Sequence, residues 1–96
     1  MLLQLQSLSR SFATRSKARE IAGEIRSAEP IGPVTLDMSS VFASPSFLAE
    51  LLQCLASQGD VTIIGADAYL AHTLIMLVDQ LGLQQRVAIQ DRALVR

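Results

Sequence analysis

Apolar positions along this chain fall into two rhythms, short unbroken runs and longer stripes at helical spacing, and the two alternate. The clearest passage is 34–55, VTLDMSSVFASPSFLAELLQCL. Val34, Thr35, Leu36, Asp37 and Met38 read as a short buried strand, followed by a polar turn and a helix opening at Ser44-Pro45. A serine before a proline is a helix-start signal. Its hydroxyl can cap free backbone N–H groups, and proline suits the first helical position because the N–H it lacks would be unpaired there. Phe47, Leu48, Leu51, Leu52 and Leu55 then recur on one apolar stripe. Ser46, Glu50, Gln53 and Ser57 recur at i, i+4, i+7 and i+11 on the other side, a polar stripe that begins beside a helix N-terminus. That stripe is the candidate functional surface.

Either side of this core the same alternation continues. Leu3 and Leu5 alternate with Gln4 and Gln6 as in a half-buried strand. Residues 11–14 make a connector in which Thr14 can cap a helix running from about Arg15 to Ser27. Ala18, Ile21, Ala22 and Ile25 face inward there, and Arg15, Arg19 and Arg26 lie toward the outside or the edges, a solvated face rather than an anion site. Gly23 weakens that helix by up to ~1 kcal/mol relative to alanine, and its bareness would permit a close approach to the sheet. The segment 28–33, AEPIGP, breaks the helix. Gly59-Asp60 is expected to close the second helix, and Val61 to Ile64 reads as a buried strand. Asp67 caps a third helix that runs to about Leu81, with Gly82 as its C-cap. Leu70, Leu74, Leu77, Val78 and Leu81 form its core stripe, His72 lies opposite, and Ile75 and Met76 project off it. Val87 and Ile89 suggest a last strand, and 91–96 a frayed tail. The pattern βαβαβαβ predicts a single small α/β domain over 1–96, with right-handed crossovers and a mainly parallel four-stranded sheet. Strand order is not readable from the pattern.

Composition agrees with one packed domain. The chain has 96 residues, 50% of them hydrophobic and 18% charged, enough to bury an aliphatic core and too few charges for disorder. Charge is unevenly spread. Arg10, Arg15, Lys17, Arg19 and Arg26 make residues 1–26 basic, and between Arg26 and Arg86 there is no lysine or arginine at all. Glu29, Asp37, Glu50, Asp60, Asp67 and Asp79 make that middle acidic. Such asymmetry can steer a partner, and it argues against nucleic acid, which needs a broad basic surface. No apolar run approaches the ~20 residues that span a bilayer. The opening MLLQLQSL is a poor secretory signal. The acid-free, Arg- and Ser-rich first nineteen residues have the composition of a transit peptide, but they are needed for the first strand and helix.

Little here reads as catalytic. His72 is the only histidine and Cys54 the only cysteine, so a zinc site built from these residues is excluded within one chain, as is an internal disulfide. A lone cysteine on a mostly apolar helix edge reads as a packed thiol and fits a reducing cytosol. No nucleophile elbow, P-loop or GxGxxG is present, and an exposed helix histidine is usually just solvated. Asp37 ends the strand where it can accept hydrogen bonds in the turn, a structural role before a catalytic one. Ile75 and Met76 read either as scattered surface apolars or as a patch for self-association.

Asp37-Met38-Ser39-Ser40-Val41, then Ser44-Pro45-Ser46-Phe47, then Glu50-Leu51, resembles the signature of the STAS-like domains of unknown function. These are small bacterial relatives of the STAS domain of anti-sigma-factor antagonists. Ser9-Arg10 through Arg19 is similar to the family's N-terminal Ser-Arg and basic first helix, so the likeness runs from about Ser9 to Ile89. The family often has an acidic pair where this chain has Ala49-Glu50, and the antagonists carry Asp-Ser-Ser-Gly where it has Ser44-Pro45-Ser46-Phe47. The resemblance implies three helices packed chiefly on one face of the sheet. It also implies a cytoplasmic, non-enzymatic regulator without cofactor or metal, whose partner is a kinase-like ATPase or an anti-sigma-type protein. Ser44, Ser46, Glu50, Gln53 and Ser57, with Asp37, are then the expected partner-binding residues, and Ser46 reads either as a merely exposed helix residue or as a phosphoacceptor on that face. Two alternatives stand beside this one: an anion- or nucleotide-binding module at the Ser44 helix N-terminus, and a structural subunit that dimerises through an open sheet face or through Ile75 and Met76.

Overall fold

The computed structural model describes residues 2–7, 12–29 and 32–90. Strands β1 (Leu2–Gln4), β2 (Val34–Asp37), β3 (Val61–Ile64) and β4 (Val87–Ile89) alternate with helices α1 (Arg15–Ala28), α2 (Pro45–Ala56) and α3 (Ala68–Leu81). Every neighbouring pair of strands is parallel, and the order across the sheet is the order along the chain, β1-β2-β3-β4. Each crossover therefore steps the same way, and crossovers of one hand stepping one way put all their helices on one face.

Burial follows that geometry. Val34, Leu36, Val61, Ile63 and Val87 are buried, whereas Thr35, Asp37, Thr62 and Ile64 are half-buried. Register places Val34, Val61 and Val87 in one row and Leu3, Leu36, Ile63 and Ile89 in the next, under the helices. The other face carries Leu2, Thr35, Thr62 and Ala88, then Gln4, Asp37 and Ile64. Because successive side chains in a strand point to opposite faces, one covered face requires this split.

Helix α2 packs against both α1 and α3. Its residues Phe47, Leu48, Leu51, Leu52 and Leu55 are each 0% exposed. All three helices are capped as the sequence predicts. Thr14 Oγ1 accepts from Lys17 N–H at 3.1 Å, Ser44 Oγ from Phe47 N–H at 3.1 Å, and Asp67 Oδ1 from Leu70 N–H at 2.7 Å. Gly82, at φ 69°, turns the chain out of α3 in the left-handed region that glycine enters freely.

Five expectations are corrected. β1 stops at Gln4, and Leu5–Ser7 form a 3-10 turn closed by Ser7 Oγ donating to Gln4 O at 2.7 Å, although Leu5 is still fully buried. α2 ends at Ala56 with Ser57 as C-cap, so Gly59 does not close it. Gly59 instead lies against the backbone of Gly32, where a Cβ would collide with the Gly32 carbonyl. Arg26 is buried rather than outward: Nη1 donates to Glu29 O and Gly32 O, and Nη2 to Leu55 O at 2.7 Å. The last turn of a helix leaves carbonyls without intrahelical donors, and Arg26 supplies one to α2. In α3 the buried stripe is Leu70, Ala71, Leu74 and Val78, with Leu77 and Leu81 only half-buried at the margin. Gly23 makes no close approach to the sheet, since it is exposed and a Cβ there meets nothing within 4 Å. The expectations for Ser9-Arg10, Pro30-Ile31 and the 91–96 tail lie outside the described residues.

Two glycines should consequently respond in opposite senses to alanine. Gly23→Ala should raise the unfolding free energy by up to ~1 kcal/mol, the helix-propensity difference. Gly65 has φ 76°, and its Cβ would run into Asp37 Oδ1 and Ser39 Oγ, so Gly65→Ala should lower it by about 2 kcal/mol or more. Urea unfolding of the two variants checks both signs.

Candidate functional site

The chain leaves β1, β2 and β3 at the same edge of the sheet, and all three helices begin there. Between β2 and α2 the turn is held by its own side chains. Asp37 Oδ1 accepts from Ser39 N–H at 2.9 Å and from Ser39 Oγ at 2.6 Å, and Ser40 follows in the left-handed region at φ 60°. Gly65, with no Cβ, lets the β3–α3 turn press against this pair. Asp37 is thus a hydrogen-bond acceptor inside the turn, as its position at the strand end suggested.

Ser44 is more deeply committed than a cap. Its hydroxyl also donates to Ala13 O at 2.9 Å, and its N–H donates to Phe12 O at 3.0 Å. Phe12 and Phe47 meet edge to face beside it, with ring centroids 5.4 Å apart. The start of α2 is therefore fastened to the segment that leads into α1. One residue into the helix, Ser46 is exposed.

The polar stripe is only partly free. Ser46, Gln53 and Ser57 are exposed, but Glu50 is turned into the contact between α1 and α2. Its Oε1 pairs with Arg15 Nη1 at 3.4 Å and Arg19 Nη1 at 3.6 Å, and its side chain keeps 19% exposure. The two arginines are more than half exposed, so each pair contributes well under ~1 kcal/mol. Cys54 Sγ donates to the other carboxylate oxygen at 3.4 Å, and Ser57 Oγ closes the helix end on Cys54 O. Burial, then the hydrogen bond to Glu50, then the negative charge of Glu50 raise the Cys54 pKa, while Arg19 pulls it down. The cysteine is a thiol rather than a nucleophilic thiolate at neutral pH.

Two residues outside the expected set complete this edge. Phe42 is 87% exposed and Tyr69 is 82% exposed. With Val41, Ala43, Asp67 and Leu70 they line a groove of about 260 Å3 between the β2–α2 turn and the first turn of α3. A sequence signal for them exists. The chain has four aromatic residues, and these two fall in a polar turn and directly after a helix start, off every apolar stripe. Ile75 and Met76 are 51% and 48% exposed and help to line a separate hollow of about 480 Å3 against Val87 and Ile89. It lies beside β4, an edge strand. His72 is exposed on α3. Among the described residues no three histidine, cysteine or carboxylate side chains gather as a metal site, and no helix is long and apolar enough to cross a membrane.

Compared with protein-family models, curated proteins and solved structures, the chain shows no significant match. The STAS-like resemblance rests on its sequence motifs alone.

The two serines should separate cleanly. Ser44→Ala removes both a cap and a tie to the α1 lead-in, and should cost about 1–2 kcal/mol of stability. Ser46→Ala, on an exposed position, should stay within about 0.5 kcal/mol of wild type. Thermal or urea denaturation distinguishes the two.

Proposed function

We propose that this chain is a non-enzymatic regulatory domain that docks a protein partner at the edge of the sheet where its helices begin. The observation that carries this reading is the pair Phe42 and Tyr69, half of the chain's aromatic residues, standing 87% and 82% exposed on one groove. Large rings left in water cost free energy unless something covers them, and aromatic side chains dominate the energetics of protein interfaces. Ser46 opens the polar side of α2 in the same neighbourhood of the chain. A phosphate there would be tolerated by the helix N-terminus and would add charge where the partner docks. The STAS-like resemblance supplies the class of partner to test first, a kinase-like ATPase or an anti-sigma-type regulator.

Nucleotide or anion binding at the Ser44 helix is less well supported. Open α/β sheets hold small ligands in the crevice where strand order reverses, and here the order never reverses. The Ser44 hydroxyl is already engaged on both sides, by Phe47 N–H and by Ala13 O.

A second surface is favoured by a separate observation. Ile75 and Met76 face a hollow beside β4, an edge strand of the sheet among the described residues, an arrangement suited to a second copy of this chain. Self-association there would leave the aromatic edge open.

Immobilised wild-type protein should retain the partner from the soluble extract of its source cells. The double variant Phe42→Ala/Tyr69→Ala should retain it at least about tenfold less, as loss of a central aromatic pair implies. Equal retention by both proteins sinks the docking reading. Light scattering addresses the second surface: Ile75→Asp/Met76→Asp should convert a concentration-dependent dimer to monomer, and a wild type that is monomeric at high concentration removes that reading.

A further inference from the structure

The aromatic groove also specifies what it receives, an inference that rests on the docking reading above. Val41, Ala43 and Leu70 make its apolar walls, Phe42 and Tyr69 stand at its mouth, and Asp67 is at its rim. Among the described residues the ring pair in contact is Phe12 with Phe47, edge to face, so Phe42 and Tyr69 keep their faces for something else. A ring presents a negative face, and a cation over it is attracted electrostatically.

Charge points the same way. No lysine or arginine lies between Arg26 and Arg86, so β2, α2, β3, α3 and the turns between them bring no positive side chain of their own. Glu50 is compensated by Arg15 and Arg19 from α1, but the ion pairs among the described residues do not include Asp67. Asp67 is exposed and uses Oδ1 to cap α3, which leaves acceptor capacity on the carboxylate. Its full negative charge outweighs the roughly half charge of the helix end it caps. An acidic or purely apolar occupant would either repel this carboxylate or desolvate it without a partner.

We infer that the groove receives an arginine of the partner protein, its guanidinium against the faces of Phe42 and Tyr69 and its charge beside Asp67. Arginine fits better than lysine because its planar group is weakly hydrated and stacks on aromatic rings. The partner is then a protein that offers a basic segment to this edge, and docking is salt-dependent.

Three blocked pentapeptides test this, acetyl-Gly-Leu-Arg-Leu-Gly-amide and its counterparts with glutamate or leucine in the centre, titrated into 15N-labelled protein. The arginine peptide should shift the amides of Phe42, Ala43, Tyr69 and Leu70 saturably, and the glutamate peptide should not. Raising salt from about 50 to about 500 mM shortens the screening length and should weaken the arginine peptide several-fold. Asp67→Asn keeps a good helix cap, so the fold persists, while affinity should fall by up to about fivefold. The inference is overturned if the arginine peptide shifts none of these amides, or if the leucine peptide shifts them as strongly. The second outcome leaves docking at the groove intact and removes only the cationic occupant. Docking itself fails on a different result, unchanged partner retention by Phe42→Ala/Tyr69→Ala.

Discussion

Burial of α2 between its two neighbouring helices and the sheet is the interaction on which the rest of the molecule depends. Five of its side chains are fully removed from water, and each contributes roughly 1.5–3 kcal/mol of transfer free energy before conformational entropy is counted. Those residues recur at a spacing that leaves the opposite side of the helix polar. Burying the stripe therefore fixes the rotation of α2 about its axis, and with it the outward direction of Ser46, Gln53 and Ser57. The two ends of the helix are fastened by the segment leading into α1 and by α1 itself. Ser44 joins the start to Phe12 and Ala13, and Arg26 reaches the carbonyl of Leu55 near the end.

A strictly sequential parallel sheet has a second consequence. All helices share one face, their N-termini line up along one edge, and among the described residues no element covers the other face. Parallel sheets are usually covered on both sides. Here the open face is moderated by residue choice, with Thr35 and Thr62 side by side at its middle and Asp37 next to them. Threonine is comfortable in a strand and half in water, which lets a one-sided sheet exist without a large apolar surface. Leu2 is exposed at the β1 end of that face, and the other exposed large apolar side chains lie elsewhere, at Phe42 and Tyr69 and at Ile75 and Met76.

Within the aligned edge the polar residues divide between holding the fold and facing outward. Asp37, Ser39, Ser44 and the cap carboxylate oxygen of Asp67 hold turns and helix starts in place. Glu50 joins two helices. Ser46, Phe42 and Tyr69 face outward. The rigidity of the first group gives the second a defined position, because Phe42 lies between a turn locked by Asp37 and a helix start locked by Ser44.

Much of this was settled by the sequence. Serine before proline placed the start of α2, Asp67 and Gly82 marked both ends of α3, and Val61–Ile64 was bounded as a strand, because caps and short apolar runs act through local geometry. The direction in which Ser46 points was also legible, since helical periodicity alone sets it. Tertiary structure decided the rest. Arg26 turned inward because the Gly32 carbonyl and that of Leu55 on another helix came within reach of its guanidinium, Glu50 left the solvent because two arginines of another helix came within reach, and Gly59 proved to matter for the backbone packed against it. The groove between Phe42 and Tyr69 joins residues from two different strand–helix turns. Periodicity within one element carries no information about which turns become neighbours, and strand order, fixed only when the sheet closes its hydrogen bonds, is what brought these two together.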